Sequence, residues 1–220
     1  MNALSLRIDL HVHTCYSRDC ATTLDEVMLY TKKMGLSGVA ITDHDTVEGA
    51  LRLVKNRNGL IVIPGIEVST NRGHIIGLNI VTPIPPRLAV EETVERIHEA
   101  GGIAVAAHPL AVFKNGIIGV GLGGKVASYG LDAVEVVNSS VFPFFLNGLS
   151  KRFAVRIGLP QTAGSDSHLA ETIGLAYTTI EDVSPEPNVE DIIEAVKKGM
   201  TMPYGKPIPW RLRLQKVLRK

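Results

Sequence analysis

Six of the seven histidines in this chain stand within or directly after short apolar runs, and that placement limits the architecture more than any other feature. The runs RIDLHVHT, GVAITDHDT, GHIIGLN, GIAVAAHP and TAGSDSH carry His11, His13, His44, His74, His108 and His168, and a further run, LIVIPGIEVST, carries Glu67. Histidines scattered by chance would not recur at the ends of strand-like segments. Imidazole and carboxylate are ligands of zinc, manganese and iron. The pattern calls for a fold that brings strand ends together, with a metal centre where they meet.

The intervening segments supply such a fold. LRIDLHVH, SGVAIT, LIVIPGIEVS, HIIGLNIV, IAVAA, LDAVEVVN and PQTAGS read as seven strands, and LAYTTIE as one more. Apolar spacing of helical period marks residues 23–34, stopping at Gly35, and residues 88–100, 144–157 and 189–199 read the same way. Thr46 and Asp45 are the cap candidates for a helix reaching about Lys55. Residues 114–130 are glycine-rich and take no assignment. Alternating strands and helices predict a parallel sheet covered by helices, and about seven such units favour a barrel with its site at the strand C-terminal ends. The expected division is a catalytic barrel over 1–205 and a basic amphipathic tail over 206–220.

Each motif has a plain reading beside the metal one. His11 and His13 are two apart on a strand and share a face, yet H-x-H alone is weak evidence. Asp9 either orients a histidine or is a polar strand end, and Asp19 is equally at home as a turn carboxylate. In T-D-H-D, residues 42–45, the charges at a buried strand end need water, partners or a metal. The Glu67 carboxylate has two oxygens with which to bridge two cations, and the TNRG turn can return His74 to the same end. Pro109 predicts an extended His108. S-D-S-H spaces Asp166 and His168 by two, whereas His98, mid-helix among charges, reads as an ordinary surface histidine.

In order, D-L-H-V-H-T-x-x-S-x-D, T-D-H-D, P-G-I-E-V-S, G-H-I-I-G, A-H-P and G-S-D-S-H resemble the polymerase and histidinol phosphatase (PHP) superfamily, from residue 8 to about 168. That resemblance implies a distorted seven-stranded (β/α)7 barrel with two or three divalent metals, manganese, iron or zinc, with magnesium as a further choice. It implies that His11, His13, Glu67 and Asp166 hold a first metal, that Glu67 bridges to a second held also by His74 and His108, and that Asp19, His44 and His168 hold a third. The implied reaction is hydrolysis of a phosphate ester by a metal-bridged hydroxide, with His108, His168 or Asp166 serving the leaving oxygen.

The expected substrate is a small phosphorylated metabolite or a nucleotide. Histidinol phosphate, a short oligonucleotide, or no substrate at all in a non-catalytic metal-binding module are the alternatives. Arg18, Arg72 and Asn138 are the candidate substrate contacts, with Lys114 and Lys125 flanking the glycine-rich stretch. A net charge of +1 gives no global field for nucleic acid or membrane, and no apolar run spans a bilayer, so a cytoplasmic enzyme is expected. Trp210, Leu214, Val217 and Leu218 of the tail are expected to pack on the barrel or a second subunit rather than to serve nucleic-acid binding. Cys15 and Cys20 read as reduced thiols beside the site, with oxidation at Cys15 as the lesser reading.

Overall fold

The computed structural model describes residues 4–57, 59–111, 113–114, 117–118, 122–184 and 186–218. The strands are β1 (Leu4–Val12), β2 (Gly38–Ile41), β3 (Ile61–Ser69), β4 (His74–Leu78), β5 (Ile103–Ala106), β6 (Phe113–Lys114), β7 (Ile117–Ile118), β8 (Ala133–Asn138), β9 (Gln161–Gly164), β10 (Ala176–Val183) and β11 (Thr201–Gly205). The helices are α1 (Leu24–Lys33), α2 (Glu48–Lys55), α3 (Val90–Glu99), α4 (Leu146–Ile157), α5 (Val189–Lys197) and α6 (Trp210–Leu218). Nine strands form one sheet in the order β11-β10-β1-β2-β3-β4-β5-β8-β9, and β6 and β7 pair separately.

The sheet is α/β and barrel-like, but it is neither seven-stranded nor all parallel. β1, β2, β3, β5, β8 and β9 run one way, while β4 and β10 run against their neighbours. β4 is reversed because the turn at 70–73 is too short for a crossover and can only make a hairpin. β11 lies at the sheet edge, where Pro203 removes no ladder bond that the sheet needs.

Closure is achieved at one end only. The chain after β9 returns to β1 through Asp166 N to His11 O (2.8 Å) and His13 N to Ser167 O (3.1 Å). At the other end β10 and β11 fill the gap, with Thr201 Oγ1 bonding Gln161 O at 2.7 Å. Gly164 permits this seam, because a Cβ there would run into the Cβ of His11. Asp9 staples it: Oδ1 accepts from Ser165 N (2.8 Å) and His11 N (3.3 Å), and Oδ2 accepts from Gly174 N (2.8 Å).

Helices pack around this frame. Thr23 caps α1 in a capping box with Glu26, and Val27 and Met28 bury against Val12, Ile41 and Leu53. α3 seats Val94 and Ile97 on Ile66 and Ala104, and α5 places Ile192 and Val196 against Ile8 and Ile63. α2 begins at Glu48 with Val47 at its cap position. Asp45 is not its cap: at φ +60°, its carboxylate accepts from Ser69 N (2.7 Å) and Ser69 Oγ (3.0 Å), tying the loop after β2 to β3.

On the barrel side, the tail helix α6 is seated by residues other than those expected to face it. Ile208 and Leu212 are buried with Leu169, whereas Trp210 and Leu214 are 68% and 63% exposed. The partly buried Arg213 donates to Ile208 O, Ser139 O, Ser140 O and Val141 O, so this cation of the basic tail is a structural clamp. Residues 216–220 have side chains outside the described set, as do Lys114 and Lys125. Among the described residues no helix is long and apolar enough to cross a membrane.

The staple predicts a stability effect. Asp9→Asn puts an amide N–H against one of three backbone donors and is expected to lower unfolding stability by about 1–3 kcal/mol. Urea unfolding followed by circular dichroism measures it; an unchanged midpoint would remove Asp9 from the account of closure.

Candidate metal centre

Strand alternation points Asp9, His11 and His13 to one face of β1, and all three are fully buried. β2 delivers His44, β3 Glu67, β4 His74 and β5 His108, while the turn after β9 delivers Asp166 and His168. His44 and Glu67 are bridge partners, and Asp166 and Ser167 are tied to β1 as described, so the strand ends converge.

Glu67 is the hub. Its Oε1 lies 2.9 Å from His74 Nδ1 and 3.0 Å from His108 Nε2. Its Oε2 lies 3.2 Å from His11 Nε2, from His13 Nε2 and from His44 Nδ1. Asp166 Oδ1 adds contacts of 3.3 Å to His13 Nε2 and 3.7 Å to His11 Nε2. Asp19 Oδ2 is 3.0 Å from His168 Nε2 and 3.7 Å from His44 Nε2. Three groups of ligand atoms close enough to share an ion emerge: His11, His13, Glu67 and Asp166; His13, Asp19, His44 and His168; and His44, Glu67 and His74. His108 reaches the third group through Glu67 Oε1. All nine sequence-derived ligand candidates therefore meet in one cluster.

The donor chemistry fits divalent cations. His11 Nδ1 is 2.9 Å from Glu135 Oε1, which fixes the ring so that Nε2 faces His13 Nε2 at 3.1 Å. Two imidazole lone pairs and two carboxylates aimed at one point repel unless a positive charge lies between them. Burial disfavours imidazolium at His11, but the carboxylates of Glu135, Glu67 and Asp166 outweigh it and lift the pKa well above the ordinary value. At His13 burial is likewise overcome, by Asp166 and Glu67. Burial works against the Asp19 carboxylate too, yet His168, His44 and His13 hold its pKa far below the usual range.

Other buried groups hold the ligands. Glu135, which sequence reading passed over, also accepts from His108 N (2.8 Å) and from Asn138 Nδ2 (2.9 Å), and so links the ligand candidates His11 and His108 to Asn138 on β8. The signal for it was a lone charge inside the apolar run AVEVV. Asp43 accepts from Thr14 N (2.6 Å) and Thr14 Oγ1 (2.7 Å), locking the loop after β1 to that after β2. His108 is not extended: its φ is +31°, with its N–H on Glu135 and its carbonyl accepting from Ala111 N. That hydrogen-bonded turn overrides the preference set by Pro109.

The three substrate candidates land in different surroundings. Arg18 is exposed and lines an open cavity of about 650 Å³ together with Asp19, Thr22, His168 and Glu171. Arg72 is exposed on the turn between β3 and β4. Asn138 is buried, its Nδ2 donating to Glu135 and to Asp166 Oδ2 (3.2 Å) and its Oδ1 accepting from Ser140 N and Val141 N. His98 pairs with Asp132 at 2.7 Å, away from the cluster.

A family model described as the PHP domain matches residues 9–130, and one described as PHP-associated matches residues 145–201. The chain belongs to the PHP family. An uncharacterized protein of Methanocaldococcus jannaschii is 35% identical over 170 residues, covering 72% of this chain and 96% of its own length. A 5′-3′ exoribonuclease of Escherichia coli is 36% identical over 106 residues, covering 44% of this chain and 36% of that protein. A two-domain protein from Bacteroides vulgatus, containing a predicted PHP-like metal-dependent phosphoesterase, superposes with TM-score 0.74 at 16% identity over 99% of this chain and 70% of that one. Membership of this family, with exoribonucleases and a cyclic phosphate diphosphodiesterase among its named relatives, supports a hydrolase acting on phosphoester bonds.

Two predictions follow from these contacts. Glu135→Gln should weaken metal binding by about 10- to 100-fold, read by chelator competition, because one of its two acceptor oxygens becomes an N–H donor that must face either His11 Nδ1 or the N–H groups of His108 and Asn138; unchanged affinity would leave Glu135 with no role at the metals. Burial pushes the Cys20 thiol up to about 11, so its alkylation should be slow at pH 8 and rise about tenfold per pH unit toward 11, while the exposed Cys15 reacts first. Peptide mapping after timed labelling reads both rates.

Proposed function

We propose that the chain hydrolyses a phosphate ester of a small metabolite or nucleotide at the Glu67-centred cluster, using two or three divalent ions drawn from manganese, iron, zinc or magnesium. The observation that carries this reading is the single buried carboxylate within 3.2 Å of five imidazoles. His11, His13, Glu67 and Asp166 would hold one ion, Glu67, His74 and His108 a second, and Asp19, His44 and His168 a third. Bound there, such ions neutralise phosphate oxygens and lower the pKa of a water toward neutrality.

The chain's own residues divide the remaining work. Glu67 joins the two halves of the cluster through its two oxygens. Glu135 and Asn138 position His11, His108 and Asp166, and we assign Asn138 this task in place of direct substrate contact. Of His108, Asp166 and His168, His168 is the one among the residues lining this cavity, which supports it as the group that serves the leaving oxygen. Arg18 at the same cavity is placed to meet a substrate anion, and Arg72 is a more distant candidate at the rim. Burial of the cluster excludes bulk water and strengthens each electrostatic contact there.

The test is phosphate release from purified, metal-analysed protein. The panel comprises nitrophenyl phosphate mono- and diesters, AMP, a 3′,5′-bisphosphate nucleotide, a short oligonucleotide and histidinol phosphate. Metal-dependent turnover that falls by about 100-fold or more in Glu67→Gln is expected, and the preferred member sets the substrate class. Bound ions with no turnover on any member would instead support a metal-binding module.

A further inference from the structure

Residues 136–165 and 199–220 contain nine of the chain's 23 lysines and arginines and none of its 22 acidic residues. With a net charge of only +1, the rest of the chain is strongly acidic, so the charge is segregated rather than mixed.

The fold joins the two acid-free stretches. Ile208 N donates to Ser139 O, and the Arg213 guanidinium grips the carbonyls of Ser139, Ser140 and Val141. The rings of Phe142 and Trp210 then meet edge to face, with centroids 5.5 Å apart. The other side of α6 is seated on Leu169, the residue after His168 and part of the cavity wall. Ser140 Oγ donates to Asp166 O at 2.9 Å, so this aromatic corner begins two residues from a contact to a metal-ligand candidate.

Large rings are left exposed on these two joined stretches. Trp210 and Phe145 are 68% and 67% exposed and Phe142 is 42% exposed, while Arg211, Lys151 and Arg152 are exposed cations on α6 and α4. Exposed rings on stretches that carry cations and no carboxylates fit a chain of stackable bases joined by phosphates. Self-association through this face would bring two acid-free basic surfaces together and is opposed by like-charge repulsion.

We propose that this face binds single-stranded nucleic acid, stacking bases on Phe142, Phe145 and Trp210, with Arg211 on the phosphate backbone, and leads the strand to the metal centre. Delivery to the centre rests on the phosphoesterase reading; binding itself does not.

The test uses the full-length, metal-loaded protein and a fluorescent ten-nucleotide single strand with a hydrolysis-resistant phosphorothioate backbone, read by anisotropy across a salt series. Trp210→Ala combined with Phe145→Ala should weaken binding about tenfold or more. Arg211→Ala should reduce the slope of log affinity against log salt by about 0.7. Turnover of nitrophenyl phosphate, which is too small to span the face, should be unchanged in both variants. Wild-type oligonucleotide affinity and salt slope in the variants would overturn the proposal. So would a loss confined to binding of anionic phosphatidylserine vesicles, or to dimerisation by sedimentation. Absence of nitrophenyl phosphate turnover in the wild type, with oligonucleotide binding still sensitive to the variants, would sink the phosphoesterase reading and leave this face standing.

Discussion

Five carboxylates, Asp9, Asp43, Glu67, Glu135 and Asp166, are buried at one end of this barrel with five imidazoles, His11, His13, His44, His108 and His168. Removing that many ionisable groups from water is tolerable only if each has a partner. Glu67 meets much of this demand by lying within 3.2 Å of five rings, those of His11, His13, His44, His74 and His108, while His168 pairs with Asp19. The rest of the structure is organised around keeping that cluster assembled.

Closure of the sheet is part of this. β1 and the turn after β9 are held by backbone hydrogen bonds, by the Asp9 staple and by the bare backbone of Gly164 against His11. The seam is therefore tightest where the ligand candidates Asp166 and His11 come together, and β10 and β11 complete the sheet at the far end, away from the cluster. A second layer of polar groups transmits this order. Arg213 on α6 fixes the loop 139–141, that loop fixes Asn138 and the Asp166 carbonyl, and Asn138 reaches the Asp166 carboxylate. The C-terminal helix is thereby connected to the ligand candidate Asp166 by an unbroken set of contacts.

Much of the site was legible in the chain because its ligands stand in short local motifs. H-x-H on a strand, a carboxylate after IVIP and a histidine after IAVAA each announce a strand end, and position follows from strand direction. What stayed hidden depends on contacts between distant segments. Glu135 looks like an ordinary strand residue until His11, His108 and Asn138 are seen around it. Asp45 has good capping chemistry, yet Ser69 on another strand is a better partner. The reversed direction of β10 has no local signature, and Pro203 masks β11 because proline argues against a strand wherever the edge position is unknown. On α6 the apolar residues Trp210, Leu212 and Leu214 alternate, so sequence could not tell which face the barrel would take.

The central claim is that one carboxylate organises several divalent ions. It is tested most directly by a crystal structure of the protein grown with manganese, with anomalous scattering used to locate the ions. At least two ions flanking Glu67, each also held by imidazoles of the cluster, are expected. A cluster without ions, or a single ion bound away from Glu67, would contradict it.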